Sequence, residues 1–140
     1  MNTNQRFAVS VHILTLLAAS DGLLTSAAIA ESVVTNPVVI RRTLASLRER
    51  GLVRSRPGVN GGWRLLRAPG KIGLCEVYRS LEQEGVLAMH SHPNKKCRVG
   101  AHIRDSLNEV FTAAQMEMEK ELGKYTVADI LEDVLARAEK

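Results

Sequence analysis

Residues Ser26 to Leu66 carry an order of elements that few folds accommodate: a short helix, a sharp break, a capped second helix and a glycine-rich hairpin. Ser26-Ala27-Ala28-Ile29-Ala30-Glu31 favours helix, and Val33-Val34-Thr35-Asn36 interrupts it. Asn36-Pro37 restarts the helix, because a capping side chain is followed by a residue with a preset φ and no N–H to satisfy. This second helix is expected over Pro37 to Glu49, with Gly51 ending it. A strand from Leu52 to Arg54 then leads into Arg56-Pro57-Gly58-Val59-Asn60-Gly61-Gly62, and Trp63 to Leu66 returns beside it. A short helix bracing a second one is how helix-turn-helix proteins bring side chains to the DNA major groove, and the hairpin would add a wing. The expected fold class is mainly α with a small β-wing: a winged helix-turn-helix with a long C-terminal dimerisation helix.

Charge is segregated along the chain. Arg41, Arg42, Arg48, Arg50, Arg54, Arg56, Arg64, Arg67 and Lys71 fall in one stretch that contains a single acid, Glu49. From Ala101 onward acids outnumber bases. The formal net charge of +4 hides this asymmetry, which suits a middle segment that faces polyphosphate and an end that does something else. A merely solvated charged surface is the plainer alternative. Two cysteines, Cys75 and Cys97, provide no disulfide framework. Phe7 to Ala19 is apolar, but its barely charged flank and internal Ser10 and His12 favour a core helix over a signal peptide. No stretch is expected to span a membrane, and the expected location is cytoplasmic.

Apolar spacing completes the outline. Phe7, Val11, Leu14 and Ala18 mark a first helix over about Asn4 to Ser20, and Thr25 or Ser26 can cap the next. Ile40, Leu44 and Leu47 would turn inward, leaving Val38, Arg41, Arg42, Ala45 and Arg48 outside. A fourth helix is expected over Gly73 to Glu84, stopped by Gly85, with Cys75 buried on it. A polar loop follows, and then a long helix from about Val99 to Leu122. Thr126 and Asp129 resemble a capping box for a last helix ending near Ala138. The division expected is a DNA-binding unit over 1–85, a sensor-type loop over 86–98, and the dimerisation and final helices over 99–140.

Candidate DNA contacts follow from this placement. They are Ser26, Asn36, Pro37, Val38, Arg41, Arg42 and Arg48 on the helical pair, and Arg56, Asn60, Gly61, Gly62 and Arg64 on the wing. Val38 can meet a thymine methyl, and Arg41 and Arg42 can reach guanine or phosphate. Arg48 lies at the far helix end, where backbone contact is expected. Arg56 and Arg64 can pair with phosphates or enter a minor groove. Trp63 is expected to cover the winged core. On the long helix, Ile103, Leu107, Val110, Phe111, Ala114 and Met118 would form a seam with a second copy.

Several pieces together resemble the Rrf-two family of bacterial winged-helix transcription regulators. They are Arg6-Phe7-Ala8-Val9, Asn36-Pro37-Val38-Val39-Ile40-Arg41-Arg42, Leu47 to Val53, Pro57 to Trp63, Glu76-Val77-Tyr78 and Cys97-Arg98-Val99-Gly100. The resemblance implies a homodimer that binds double-stranded DNA, with the long penultimate helix at the interface, the wing in the minor groove and repression as the commoner mode. Cluster-binding members carry three cysteines in the loop before that helix, and this chain has only Cys97. No cofactor is therefore expected, an iron–sulfur cluster being disfavoured by thiolate supply. Cys97 stands beside Lys95, Lys96 and Arg98 near a helix start, which leaves a redox role open, with an ordinary thiol as the plainer reading. His90, His92, Cys97 and His102 match no standard metal spacing, so no metal site is expected. An alternative function is a protein-interaction module on the same scaffold that does not read DNA. No nucleophile triad, carboxylate pair or nucleotide fingerprint suggests an enzyme.

Overall fold

A computed structural model describes residues 3–81 and 85–140. Its elements are α1 (Thr3–Ala19), α2 (Ser26–Val33), α3 (Pro37–Glu49), β1 (Val53–Arg56), β2 (Gly62–Leu65), a 3-10 turn (Pro69–Lys71), α4 (Leu74–Arg79), α5 (Arg98–Leu122) and α6 (Val127–Ala138). The mainly helical winged helix-turn-helix expected from the sequence is what the chain forms.

The core gathers Ile13, Leu14 and Leu17 of α1, Ile29 of α2, Ile40, Leu44 and Leu47 of α3, and Ile72, Leu74 and Val77 around α4. On α1 the innermost side chains are Ser10, Ile13, Leu14 and Leu17, while Phe7, Val11 and Ala18 are only half-buried. The expected stripe is thus rotated, because α1 is apolar nearly all round and α6 covers its second side. The buried hydroxyls of Ser10 and Thr15 donate to the Arg6 and Val11 carbonyls at 2.9 and 2.7 Å, so neither is left unpaired.

Caps set the helix-turn-helix. The Ala28 amide donates to Thr25 Oγ1 at 3.1 Å, which makes Thr25, not Ser26, the cap of α2. That helix continues to Val33 and ends on Val34, whose φ of 58° is left-handed. Asn36 Oδ1 accepts from the Val38 amide at 2.8 Å, with Pro37 as the first helical residue. At the other end Gly51 has φ 73°, and the Gly51 and Leu52 amides donate to the Arg48 and Leu47 carbonyls at 2.9 and 3.0 Å. This pair of bonds is a Schellman ending, and it occupies the Leu52 amide, while the Leu52 carbonyl accepts from the Leu66 amide at 3.0 Å. The first strand therefore starts at Val53, one residue later than expected, and extends through Arg56.

In the antiparallel wing Val53 pairs with Leu65, Arg54 with Arg64, Ser55 with Trp63 and Arg56 with Gly62. A third segment joins it: the Leu24 amide and carbonyl exchange bonds of 3.1 and 2.7 Å with Trp63. Two glycines are sterically required. A Cβ on Gly61 would collide with the Arg56 carbonyl, and one on Gly62, at φ 152°, would lie 2.7 Å from the Leu24 carbonyl oxygen.

The fourth helix is shorter than expected. It stops at Arg79, where the buried Ser80 hydroxyl donates to the Val77 carbonyl at 2.6 Å and the Leu81 amide turns back to the Tyr78 carbonyl at 3.2 Å. The remainder of the expected helix, residues 82–84, lies outside the described residues. Cys75 is half-buried, not enclosed. At α6 the expected capping box forms, with Thr126 and Asp129 satisfying each other's amides at 2.9 and 3.2 Å. Backbone bonds from Leu74 to Tyr125 and from Val127 to Ile72, 3.0 and 2.9 Å long, dock α6 on the winged body. Val127 is fully buried in the core, so α6 packs with α1 although the sequence grouped it with α5. No side chain of α5 is fully buried. No helix among the described residues is long and apolar enough to cross a membrane.

Candidate nucleic-acid interface

The outward face of α3 and the wing both carry exposed basic residues. Ile40, Leu44 and Leu47 anchor α3 to the core, which leaves Asn36, Pro37, Val38, Arg41, Arg42 and Arg48 exposed on the other side. Ala45, expected outside, is half-buried. Wing residues Arg54, Arg56, Asn60 and Arg64 are exposed, whereas Gly61 and Gly62 are half-covered by the backbone they approach. The four ion pairs among the described residues are Arg67–Glu76, Arg79–Glu119, Lys124–Glu121 and Arg137–Asp133. None of them uses Arg41, Arg42, Arg54, Arg56 or Arg64, so five guanidiniums stand without a carboxylate partner among those residues.

Trp63 joins the helical pair to the wing. Its indole N–H donates to Ser26 Oγ at 3.2 Å, and the Arg48 guanidinium carbon lies 5.5 Å from its ring centroid. Arg48 Nη1 also reaches Ser55 Oγ at 3.5 Å. Trp63 is therefore the structural cover expected of it. Through the same ring Ser26 of α2 and Arg48 of α3 tie the helical pair to the ribbon, a role the sequence reading did not give them. The contact of Leu24 with Trp63 had no separate sequence signal, since Leu23 and Leu24 look like ordinary core residues.

Away from this surface, α5 is tied to α4 by a polar network that the sequence reading missed. Arg79 Nε lies 2.6 Å from Glu119 Oε1, and the Gln115 amide donates to Tyr78 Oη at 2.9 Å and to Glu119 Oε2 at 3.3 Å. Gln115 Oε1 in turn accepts from the Val86 amide at 3.1 Å. The Arg79 hydrogen bond holds the Glu119 carboxyl below the usual carboxylate range. Tyr78 meets Phe7 of α1 edge-on, 5.7 Å between centroids, so this network reaches the winged core.

The expected seam of α5 divides. At ~100° per residue, Val99, Ile103, Val110 and Ala114 form one edge of the apolar stripe, and Phe111 and Leu122 lie beside Gln115 and Glu119. Ile103, Leu107, Phe111 and Met118 are half-buried, whereas Val99, Val110 and Ala114 are exposed.

Cys97 is exposed at the N-cap of α5, where the backbone amides of Gly100 and, less strongly, Val99 lower its thiol from the ordinary value. The helix amides supply this effect; the neighbouring lysines invoked in the sequence reading do not figure among its causes. Cys75 lies elsewhere, its Sγ 4.0 Å from Glu119 Oε1. Among the described residues no three His, Cys, Asp or Glu side chains gather as metal ligands. A protein-held iron–sulfur cluster needs several converging thiolates or imidazoles, and this donor set does not fit one.

Comparison with known proteins agrees with this arrangement. A model of the Rrf2 family, described as iron-dependent transcriptional regulators, matches residues 3–133. YwnA of Bacillus subtilis (strain 168), described provisionally as an HTH-type transcriptional regulator, is 43% identical over 129 residues, spanning 91% of this chain and 96% of its own. A crystal structure described provisionally as a DNA-binding protein shares 36% identity at a TM-score of 0.73, covering 90% of this chain and 98% of that one. IscR of T. potens shares 25% identity at a TM-score of 0.71, covering 96% and 88%.

Proposed function

The chain belongs to the Rrf2 family of transcriptional regulators, and from that premise we propose that it binds double-stranded DNA sequence-specifically as a homodimer and represses transcription. It is a regulator, like its relatives, and not an enzyme. The observation that carries the reading is that the guanidiniums of Arg41 and Arg42 on α3 and of Arg56 and Arg64 on the wing are exposed, with no carboxylate partner among the described residues. Val38, Arg41 and Arg42 meet base edges in the major groove, where a bidentate arginine–guanine pair is worth about 1–3 kcal/mol of discrimination. The α3 N-terminus, with Asn36 and Pro37, sits against a phosphate. Asn60 and Arg56 lead the wing into the adjacent minor groove, with Gly61 and Gly62 allowing the tight tip and Arg64 on its return strand. The open edge of α5 packs on its copy in a second subunit and places two recognition helices on one duplex.

Sensing falls to Cys97, whose favoured thiolate would attack peroxide, releasing hydroxide and leaving a sulfenic acid. No resident iron–sulfur cluster takes part, and the protein acts in the cytoplasm. The test begins by selecting bound duplexes from genomic fragments. Arg41→Ala and Arg42→Ala are expected to weaken the selected duplex about tenfold or more while leaving Tm unchanged. Arg56→Ala should weaken all sequences evenly and flatten the log affinity against log salt slope by about 1. A salt-independent affinity, or no duplex bound at low salt alongside a stable complex with another protein, overturns the reading in favour of an interaction module. For the thiol, Cys97→Ser should lose any peroxide response that the wild type shows.

A further inference from the structure

The wing has two faces, and only one is accounted for by its packing on α3. Ser55 and Trp63 face α3, since both meet Arg48. Alternation along the strands then turns Arg54, Arg56 and Arg64 to the opposite face. There they border a cleft of about 690 Å³ between the ribbon and the C-terminal end of α1, which Ser55, Leu65 and Arg67 also line. Arg67 is neutralised by Glu76 at 2.8 Å, but Arg54, Arg56 and Arg64 have no ion pair among the described residues. Asp21 also lines the cleft without pairing to them.

Arg54 and Arg64 stand directly opposite each other in the ribbon. Like charges at such a cross-strand pair are destabilising, so the free protein holds an arrangement that an anion would relieve. We propose that this outer face is a second phosphate-binding surface, with Arg54 as its central residue, that takes the DNA backbone flanking the base-reading site. It rests on the reading of the protein as a DNA-binding regulator. A wing tip in a minor groove about 6 Å wide lies between two backbones. The inner face of the ribbon, with Arg48, looks toward the backbone nearest α3. The outer face looks toward the far one, outside the segment that α3 reads.

The test compares the shortest duplex retained after selection with the same duplex lengthened by about six base pairs of random sequence at each end, roughly 20 Å of helix. Wild type should bind the longer duplex several-fold tighter, with a steeper salt slope. Arg54→Gln should bind the short duplex as wild type does and lose the gain on lengthening, with a slope lower by about 1 per site, and Arg54→Lys should keep most of the gain. As a readout independent of DNA, Arg54→Thr should raise the Tm of the free protein by relieving the paired charges. If wild type binds the short duplex but gains nothing on lengthening, or Arg54→Gln gains as much as wild type, this surface is not a flank contact and the regulator reading stands. If neither duplex is bound, both fall. An Arg54-dependent rise in Tm with inorganic pyrophosphate at fixed ionic strength, without any flank effect, would assign the cleft to a small phosphorylated ligand and overturn the duplex as its occupant.

Discussion

At the scale of single residues, the turn of the helix-turn-helix holds a local conflict. Val34 sits at φ 58° and ψ 56°, a region that costs a branched L-residue about 1–2 kcal/mol. Its side chain is 84% exposed, so no packing offsets that cost. The conformation is imposed by the cap, where the Val34 amide donates to the Ala30 carbonyl at 2.8 Å, and by the need to redirect the chain into Asn36 and Pro37. Asparagine tolerates this region better. Val34→Asn is therefore expected to stabilise the protein by about 1 kcal/mol, seen as a Tm higher by about 2–4 °C. An unchanged or lower Tm would mean that the branched side chain is not strained there. Trp63 teaches the converse lesson: its ring holds Ser26 and Arg48 and its backbone holds Leu24, so one residue joins elements whose individual signals were plain in sequence.

At the scale of elements, legibility tracked whether a boundary was set locally. α3 could be read to the residue because Asn36, Pro37 and Gly51 act through their own backbone geometry. The capping box of α6 was equally local. The start of the first strand shifted because the Leu52 amide is claimed by the α3 ending, and the Leu24 bridge depends on a partner 39 positions away. α4 stops early through Ser80, whose hydroxyl bond to Val77 has no periodic signature. The α4–α5 network was illegible for the same reason, since Gln115 and Glu119 become polar anchors only once Tyr78 and Arg79 face them.

That network gives a pH dependence of definite sign. Glu119 is held ionised mainly by Arg79, so its carboxyl titrates lower in the folded chain than in the unfolded one. The stabilisation is complete above the ordinary carboxylate range and is lost as pH falls through the lowered folded value. The protection of the α5 amides near Gln115, measured against their intrinsic exchange rate at each pH, should fall on acidification into that window. In Arg79→Gln the same amides should exchange faster already at neutral pH, with less further change in acid. Equal acid responses in the two proteins would show that Arg79 is not what holds Glu119.

At the scale of the whole molecule, α5 spans about 37 Å at 1.5 Å per residue, yet none of its side chains is fully buried within the chain. A helix this long needs tertiary cover for an apolar face, because propensity alone contributes little. Its Gln115 and Glu119 side is used on α4, which leaves the edge of Val99, Ile103, Val110 and Ala114 for another molecule. The second copy proposed above would meet the need by symmetry, since each subunit would offer the same edge. Val110 is 62% exposed in one chain, so Val110→Glu should leave the fold and helix content intact while placing like charges across such an interface. The variant should sediment as a monomer and bind the selected duplex at least 100-fold more weakly, the loss expected when two linked half-site contacts become independent. Met116 is 66% exposed but lies on a different side of the helix, so Met116→Glu should remain dimeric and bind normally. If Val110→Glu stays dimeric while Met116→Glu dissociates, the interface uses the side of α5 that carries Met116, and the spacing of the two recognition helices must be redrawn from that face.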